Sequence, residues 1–256
     1  MTTTTYTIRA LNTGYQQLDK AQYATFRKGA GTIIEHPVFC FLIEGGGRRI
    51  LVDTGMSHTE QSVRFHHQGR QDAGQAIHEQ LAAVGLTPAD IDIVIFTHLH
   101  WDHCYNAERF AKARLVVSEI EYQFALDPTP PYWMTYEHPS SGLTPPWQGL
   151  HFDLVQGEEE IVEGIRVLPT PGHSPGHQSV LVRTADGVYL IAGDLFFVRE
   201  NLLPDAERGW PLSPIGRFSN FVELWRSMEH ALRRADHVLM THDPTINDRQ
   251  VYPPAP

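Results

Sequence analysis

The feature that most constrains this chain is a dense group of potential metal ligands at the end of an apolar segment. Residues 91–96 read Ile-Asp-Ile-Val-Ile-Phe, and residues 98–103 follow with His-Leu-His-Trp-Asp-His. The apolar segment has the length and composition of a buried strand. Three imidazoles and a carboxylate at the carboxyl end of such a strand lie where α/β sheets place their chemistry, and this donor set suits borderline metals such as zinc. The segment therefore predicts a metal site.

The spacing of these side chains predicts two metal positions. If the backbone stays extended as far as His100, the side chains of His98 and His100 point to one side, because alternate residues of an extended chain share a face. A turn after Trp101 directs Asp102 and His103 towards a second position. The alternative is that these histidines are surface loop residues, which would be a reasonable explanation for a single histidine in a chain with 15. It does not explain a cluster, because buried imidazoles without partners lower stability.

Residues 96–103, Phe-Thr-His-Leu-His-Trp-Asp-His, resemble the signature of the metallo-β-lactamase-fold hydrolases. Within that superfamily, the chain from Val38 to His242 is most similar to the N-acyl homoserine lactonase-like group, which is associated with quorum quenching. The resemblance implies an α/β protein with the four-layer αββα sandwich of the metallo-β-lactamase fold. We expect a single domain over residues 1–256, with an insertion loop at residues 127–147. The motif is specific for the superfamily and much less so for the substrate.

The resemblance also implies a complete set of metal ligands. Four further candidates stand where apolar runs end, namely Asp53, His173, Asp194 and His242. The family pattern forms two groups of three around a shared carboxylate: His98, His100 and His173 on one metal, Asp102, His103 and His242 on the other, and Asp194 bridging both. Asp53 is either a turn residue or an acceptor that orients a metal-bound histidine, and the resemblance favours the second role.

Two divalent metal ions per chain supply the expected chemistry. Zinc is the expected metal, with manganese, iron or cobalt as alternatives. Two dications that share a carboxylate and a solvent oxygen lower the pKa of that water towards neutrality, which gives a hydroxide nucleophile and no covalent enzyme intermediate. Asp102 and Asp194 are therefore the expected catalytic residues.

A second motif overlaps the proposed ligand His173. Residues 172–176, Gly-His-Ser-Pro-Gly, also match the Gly-x-Ser-x-Gly elbow of serine hydrolases. That elbow requires a strand before the serine and a helix after it. Prolines flank Ser174 on both sides and residues 178–183 have the composition of a strand, so we reject a serine nucleophile. His177 is the alternative ligand to His173, but the family pattern uses the first histidine.

Apolar runs predict the remaining strands, at residues 5–11, 38–43, 49–52, 114–118, 165–169, 178–183, 188–192 and 238–240. Helices are expected near residues 71–84, 107–111 and 221–233. Residues 127–147 contain six prolines and four aromatic residues, so they form a loop. This loop is either a surface arm, packed on its own domain or on a partner subunit, or a lid or wall over the metals that selects the substrate. Trp101, Trp133 and Phe197 are the expected substrate contacts.

Composition excludes several classes of protein. A formal net charge of −10 argues against nucleic acid as a partner, because nucleic-acid-binding proteins present basic patches. No run approaches the ~18 apolar residues that span a membrane, and the start shows no charged leader before an apolar core, so we expect a cytoplasmic protein without a membrane partner.

With Cys40 and Cys104 as its two cysteines, the chain shows no disulfide framework. A monomer or homodimer acting on a small-molecule substrate is expected.

The expected function is dinuclear, metal-dependent hydrolysis of a lactone or related cyclic ester. Thioester, phosphoester or β-lactam hydrolysis is the alternative within the same fold. A third possibility is a mononuclear iron oxidoreductase similar to the persulfide dioxygenases, but these enzymes keep fewer of these ligands at the metal. The last alternative is a non-catalytic binding module, which would not need the complete ligand set.

One residue departs from the lactonase pattern. In the lactonases that this chain resembles, the third residue after the bridging aspartate is a tyrosine whose hydroxyl assists the lactone, and here it is Phe197. Tyr105, Tyr132 and Tyr136 are candidate donors by their positions in the sequence. We therefore expect a substrate other than the usual long-chain acyl homoserine lactone, or a different hydroxyl donor.

Overall fold

The computed structural model describes residues 4–254 and contains two β-sheets. The strands that begin the first sheet are β1 Thr7–Asp19, β2 Ile33–Gly45, β3 Arg48–Val52, β4 Gln68–Arg70, β5 Ile93–Ile95, β6 Arg114–Ser118 and β7 Asp153–Val155. The strands of the second sheet are β8 Glu159–Val162, β9 Ile165–Pro169, β10 Gln178–Thr184, β11 Gly187–Ile191 and β12 His237–Leu239. A last short strand, β13 Val251–Tyr252, returns to the first sheet.

Strand order brings several carboxyl ends to one edge. The first sheet has the order β13-β1-β2-β3-β5-β6-β7, with β4 paired to β1. The neighbouring strands β3, β5, β6 and β7 are parallel. The second sheet has the order β12-β11-β10-β9-β8, with β11 and β12 parallel. Parallel neighbours end at the same edge, and this is the edge where α/β sheets bind ligands.

Alternating burial along the strands explains why the two sheets pack face to face. In β2, Phe39 and Phe41 lie in the core between the sheets, whereas Cys40 lies in the core outside the first sheet. In β10, Val180 lies between the sheets and Leu181 lies outside the second sheet. Successive strand residues point to opposite faces, so both faces of each sheet are apolar and need cover. The shared central core supports our proposal of one domain.

Helices provide the outer cover. They are α1 Thr59–Phe65, α2 Ile77–Ala83, α3 Trp101–Cys104, α4 Glu119–Leu126 and α5 Phe221–Leu232. Ile77 and Leu81 of α2 pack on the first sheet with Ala125 of α4, and Leu224 and Met228 of α5 pack on the second sheet. This αββα arrangement confirms the predicted fold class. No helix formed by residues 4–254 is long and apolar enough to cross a bilayer.

The first hairpin is longer than the predicted strands at residues 5–11 and 38–43. Pairing shifts between Asn12 and Tyr15, at a bulge where Gly14 has a φ of 140°, and then continues to the ends of β1 and β2. Bulges allow a strand to bend and continue. The added part was missed because residues such as Gln16 and Gln17 are polar and break the hydrophobic alternation.

Two predicted helices are shorter than expected. The helix expected at residues 71–84 begins only at Ile77, because the preceding residues form a turn in which Gly74 has a φ of 86°. The side-chain amide of Gln71 donates to the Thr13 carbonyl in the same segment. The segment at residues 107–111 forms a single 3-10 turn, Ala107–Phe110. Short elements such as α1, α4 and β4 have too few residues for their periodicity to be recognised.

Gly172 allows the loop before His173 to pack closely against α5. Replacing this glycine tests the packing. Its φ is 137°, and a Cβ atom there would overlap the Leu224 backbone, whereas Gly149 has a φ of 80° and open space around it. We expect Gly172→Ala to lower the free energy of unfolding in urea by more than the roughly 1–2 kcal/mol of left-handed strain. Gly149→Ala, the matched control, should show that strain alone. Equal losses in both variants would show that the loop moves away from α5 without cost.

Candidate metal centre

The predicted ligands lie together at the shared edge of the two sheets. His98 and His100 follow β5, and His100 caps α3 with extended backbone angles, φ −69° and ψ 150°. Asp102 and His103 are part of α3 itself. The other three candidates lie beyond strands of the second sheet: His173 after β9, Asp194 after β11 and His242 after β12. Strand ends of both sheets thus contribute to one site.

The first group consists of His98, His100 and His173. Their ligand-type atoms lie within 4.8 Å of one another, and all three residues are buried. Nδ1 of His100 is 3.0 Å from Nε2 of His173. Two ring nitrogens at this separation need a proton or a cation between their lone pairs.

The second group consists of Asp102, His103 and His242, again with ligand-type atoms within 4.8 Å. Oδ2 of Asp102 is 3.9 Å from Nε2 of each histidine. The Gln16 side-chain amide donates to the same oxygen at 2.7 Å, so the carboxylate is fixed by the first hairpin.

Asp194 lies between the two groups. Its Oδ1 atom is 3.1 Å from Nε2 of His103 and 3.2 Å from Nε2 of His242. Its Oδ2 atom is 3.2 Å from Nε2 of His173 and 3.9 Å from Nε2 of His98. Each oxygen therefore faces one group, which is the arrangement that a bridging carboxylate requires.

Hydrogen bonds behind the rings leave the inner nitrogens free for metal. Nδ1 of His242 lies 2.9 Å from the Pro37 carbonyl, and Nδ1 of His173 lies 2.9 Å from the Arg217 carbonyl. A proton on the outer nitrogen directs an unprotonated Nε2 inwards. Among residues 4–254, Nε2 of His98 and Nε2 of His100 are buried without a hydrogen-bond partner. Buried acceptors of this kind destabilise a protein unless they are paired, so the residues fit two divalent metal ions.

The charge state of the site also suits cations. Burial, together with the neighbouring histidines, holds the pKa values of His98 and His100 well below their ordinary value, so both are neutral and able to bind a metal. Burial also opposes a charged His103, but the carboxylates of Asp194 and Asp102 outweigh it and raise the pKa of His103 well above its usual range. The carboxylates therefore attract a positive charge to this position.

Asp53 supports His103 from behind. Its carboxylate lies 2.8 Å from Nδ1 of His103 and accepts hydrogen bonds from the Thr97 amide and hydroxyl, each at 2.8 Å. The residue directly follows β3 and has a φ of 61°. This geometry supports a role in orienting His103 over that of a simple turn residue.

Ser174 and His177, the two alternatives weighed in the sequence analysis, form hydrogen bonds outside the proposed ligand groups, and so does the thiol of Cys104. The buried Ser174 hydroxyl donates to Glu121 at 2.6 Å, so it does not point at the metal ligands. Nε2 of His177 accepts the Asp194 amide at 3.0 Å, and burial lowers the pKa of His177 to about 3. Cys104 is a buried free thiol that donates to the Leu99 carbonyl.

Glu121 was missed in the sequence although it organises the site. It is fully buried in α4, and its carboxylate accepts the Leu99 amide, the Tyr136 hydroxyl, the Ser174 hydroxyl and the Gly176 amide. A glutamate in a short helix with exposed neighbours gives no sequence signal for such a role.

A cavity of about 300 Å³ opens over the proposed metal ligands. Its lining includes Trp101 and Phe197, both expected to contact the substrate. Trp133, the third expected contact, lies outside the lining, because its indole donates to the Pro128 carbonyl and its ring stacks on His138. The loop at residues 127–147 instead reaches the cavity through Pro131, Met134 and Thr135.

Aromatic residues near the site differ in what they can offer a substrate. The ring of Phe197 lies 4.5 Å from that of His242, and no hydroxyl is present there. Tyr136 is buried against His100 and uses its hydroxyl on Glu121, and Tyr105 and Tyr132 are not among the lining residues. Tyr23 of the first hairpin loop does line the cavity, although no sequence pattern indicated this position.

Comparison with known proteins decides the family. Residues 33–240 match the family described as the metallo-beta-lactamase superfamily. The chain belongs to this superfamily.

Curated relatives within the superfamily are lactonases. An N-acyl homoserine lactonase of Bacillus cereus is 28% identical over 226 residues, which is 84% of this chain and 82% of the relative. An N-acyl homoserine lactonase of Bacillus thuringiensis is 32% identical over 181 residues, which is 67% of this chain and 68% of the relative. A solved structure of a quorum-quenching N-acyl homoserine lactone lactonase aligns with a TM-score of 0.78 and 23% identity, covering 98% of each chain, and it supports the fold.

These findings confirm the predicted class of enzyme. The superfamily member described here is a lactonase-like, metal-dependent hydrolase, with a His and Asp cluster suited to the dinuclear metal site of the family. The assignment of individual residues to each metal is our proposal, supported by the distances above.

We expect this site to bind two divalent metal ions per chain. Elemental analysis after purification without chelators should give about two metals, and Asp194→Ala should lower that content because both groups face this carboxylate. Asp127→Ala, on an exposed residue, is the matched control. Adding metal back to the stripped protein should raise its unfolding free energy, by about 2.7 kcal/mol for each site at a hundred times the dissociation constant of that site. One tightly held iron and no second site would contradict the dinuclear assignment.

Proposed function

We propose that this enzyme opens lactones and that zinc occupies both metal positions. The observation that carries the proposal is the carboxylate of Asp194, whose two oxygens face two separate ligand groups. Relatives that are named N-acyl homoserine lactonases support the substrate class. The donor set of histidine and aspartate supports zinc, although it also suits manganese, iron or cobalt. A cytoplasmic location stays a prediction of the sequence.

Metals bound here would polarise the lactone carbonyl and lower the pKa of water at the same site. The chain itself fixes the geometry of that reaction. Gln16 holds Asp102 and Asp53 holds His103, so neither proposed ligand needs to reorganise. The ring of Trp101 stacks on His66 at a centroid distance of 4.1 Å, and Glu137 binds His66 at 2.8 Å, so one wall of the cavity is rigid. A rigid wall positions the ring of a substrate against the ligands.

The decisive test of this function is a hydrolysis screen. Metal-loaded enzyme should open γ-lactones, including N-acyl homoserine lactones, faster than it cleaves thioesters, phosphotriesters or β-lactams of similar size. Ser174→Ala should retain turnover per bound metal, because the hydroxyl is committed to Glu121. Preferred turnover of a thioester or β-lactam would replace the lactone assignment, and an inactive Ser174→Ala enzyme with full metal content would restore the serine mechanism.

Tyr23 is our candidate for the hydroxyl that is missing at Phe197. Burial raises the pKa of Tyr23, Arg217 opposes the shift and Asp102 adds to it, so the hydroxyl stays protonated and able to donate at neutral pH. Removing a donor that stabilises a developing negative charge commonly costs about 10²- to 10³-fold in turnover. We therefore expect Tyr23→Phe to lower kcat by about 10²-fold at unchanged metal content.

Two further variants make this experiment specific. Tyr105→Phe removes a hydroxyl outside the cavity and should leave kcat unchanged. Adding Phe197→Tyr to Tyr23→Phe restores a hydroxyl beside His242 and should recover part of the lost rate. Full activity in Tyr23→Phe would show that the ligands and metals stabilise the transition state without this residue.

A further inference from the structure

We propose that the cavity selects lactones that carry a carboxylate group, and that Arg217 binds this group. This inference rests on the proposed lactonase function and names the substrate class within it. It assigns a role to the positively charged guanidinium of Arg217, which the proposed metal chemistry does not use.

Arg217 is the one lysine or arginine among the residues that line the cavity. None of the ion pairs formed by residues 4–254 includes it. The carboxylates in the same lining, Asp102 and Asp194, belong to the proposed metal groups. A half-buried guanidinium therefore faces the substrate space without a protein anion to neutralise it.

Its side chain is held in place by neutral neighbours. Cζ lies 5.9 Å from the ring centroid of Tyr23 and 5.7 Å from that of Tyr132, and Nη2 donates to the Thr135 hydroxyl at 3.1 Å. Two cation–π contacts and one hydrogen bond restrain the guanidinium, while its other N–H groups remain available. A planar fork of donors matches the two oxygens of a carboxylate.

The backbone around Arg217 is fixed as well. Its carbonyl lies 2.9 Å from Nδ1 of the proposed ligand His173. The Gly216 amide donates to the Tyr23 carbonyl at 2.8 Å, and a Cβ atom at Gly216 would overlap the Ala21 carbonyl. The guanidinium is therefore preorganised relative to the metal ligands, which lowers the entropic cost of binding an anion.

The rest of the lining limits the kind of anion. Leu18, Phe65, Met134 and Phe197 give an apolar surface for a ring or a short chain. The volume of about 300 Å³ lies at the lower end of the range for small-molecule sites. One arginine without a helix N-terminus offers fewer donors than phosphate sites generally use. A compact lactone with one carboxylate fits these conditions best.

Matched substrate pairs test the inference. One pair is 5-oxotetrahydrofuran-2-carboxylate and its carboxamide, and the other is N-succinyl homoserine lactone and its terminal carboxamide. The members of each pair have nearly the same size and shape, but the carboxamide has no charge and replaces one acceptor oxygen by an NH2 donor. We expect metal-loaded wild type to prefer the anionic member of at least one pair. Arg217→Gln should lower kcat/KM for that member by about 10- to 150-fold, mainly through KM, because a charged hydrogen bond is lost. The carboxamide should change less than about threefold.

Control variants separate charge from structure. Arg226→Gln makes the same change on the exposed face of α5 and should alter neither substrate. Arg217→Lys keeps the charge without the planar fork and should retain part of the preference. Arg217→Glu should reverse it, favouring cationic homoserine lactone over its neutral N-acetyl form. Metal content and the unfolding midpoint, measured for every variant, identify a merely structural defect.

A binding experiment distinguishes failure of this inference from failure of the proposed function. Calorimetry with cyclopentanecarboxylate and cyclopentanecarboxamide, which have no ester, reports the anion site without turnover. A carboxylate also binds metals, so the informative quantity is the change between wild type and Arg217→Gln. If lactones are opened but Arg217→Gln affects anionic and neutral compounds equally, the inference is wrong. If no lactone is opened and carboxylate binding still depends on Arg217, the lactonase proposal is wrong and the anion site stands.

Discussion

The rest of the site depends on one buried carboxylate, that of Glu121. Burial raises the pKa of Glu121, and the donors that surround the carboxylate oppose this shift. These donors come from separate parts of the chain: Leu99 between two proposed ligands, Tyr136 in the loop at residues 127–147, and Ser174 and Gly176 beside His173. An unsatisfied carboxylate at this depth would be strongly destabilising, so the three segments are held together. The proposed ligands His98, His100 and His173, which come from both sheets, are thus held near one another by this carboxylate.

The alignment has an electrostatic consequence. Histidine rings approach one another closely around Asp194, with centroids of His98 and His103 only 4.0 Å apart. Such crowding is unfavourable for charged imidazoles, and burial adds to the penalty. The energy cost of assembling unpaired acceptors is offset when cations enter, so folding and metal binding are expected to be coupled. Glu121 and Asp53 therefore maintain an arrangement that would be poorly stable by itself.

The sequence predicted the fold and the metal chemistry better than it predicted the substrate wall. Residues such as His98 and Asp194 directly follow apolar strands, so their position at a sheet edge follows from the periodicity, and the comparisons confirm the family and the type of enzyme. Arg217 and Tyr23 lie in irregular segments, where no period relates sequence to direction. Their proximity depends on tertiary contacts such as the Gly216 amide bonded to the Tyr23 carbonyl. Trp133 shows the same limit, because its neighbours face the cavity and it does not.

This difference suggests how one scaffold can accommodate different substrates. The proposed ligands are fixed by strand ends and by buried hydrogen bonds, and changing them would disturb the core. Part of the cavity wall is formed by side chains outside the strands and helices, such as those of Tyr23, Met134 and Arg217. Arg217 combines both properties, because its carbonyl supports His173 while its guanidinium faces the substrate space. A new side chain at this position can keep the backbone contact to His173, so the substrate preference can change while the metal geometry is preserved.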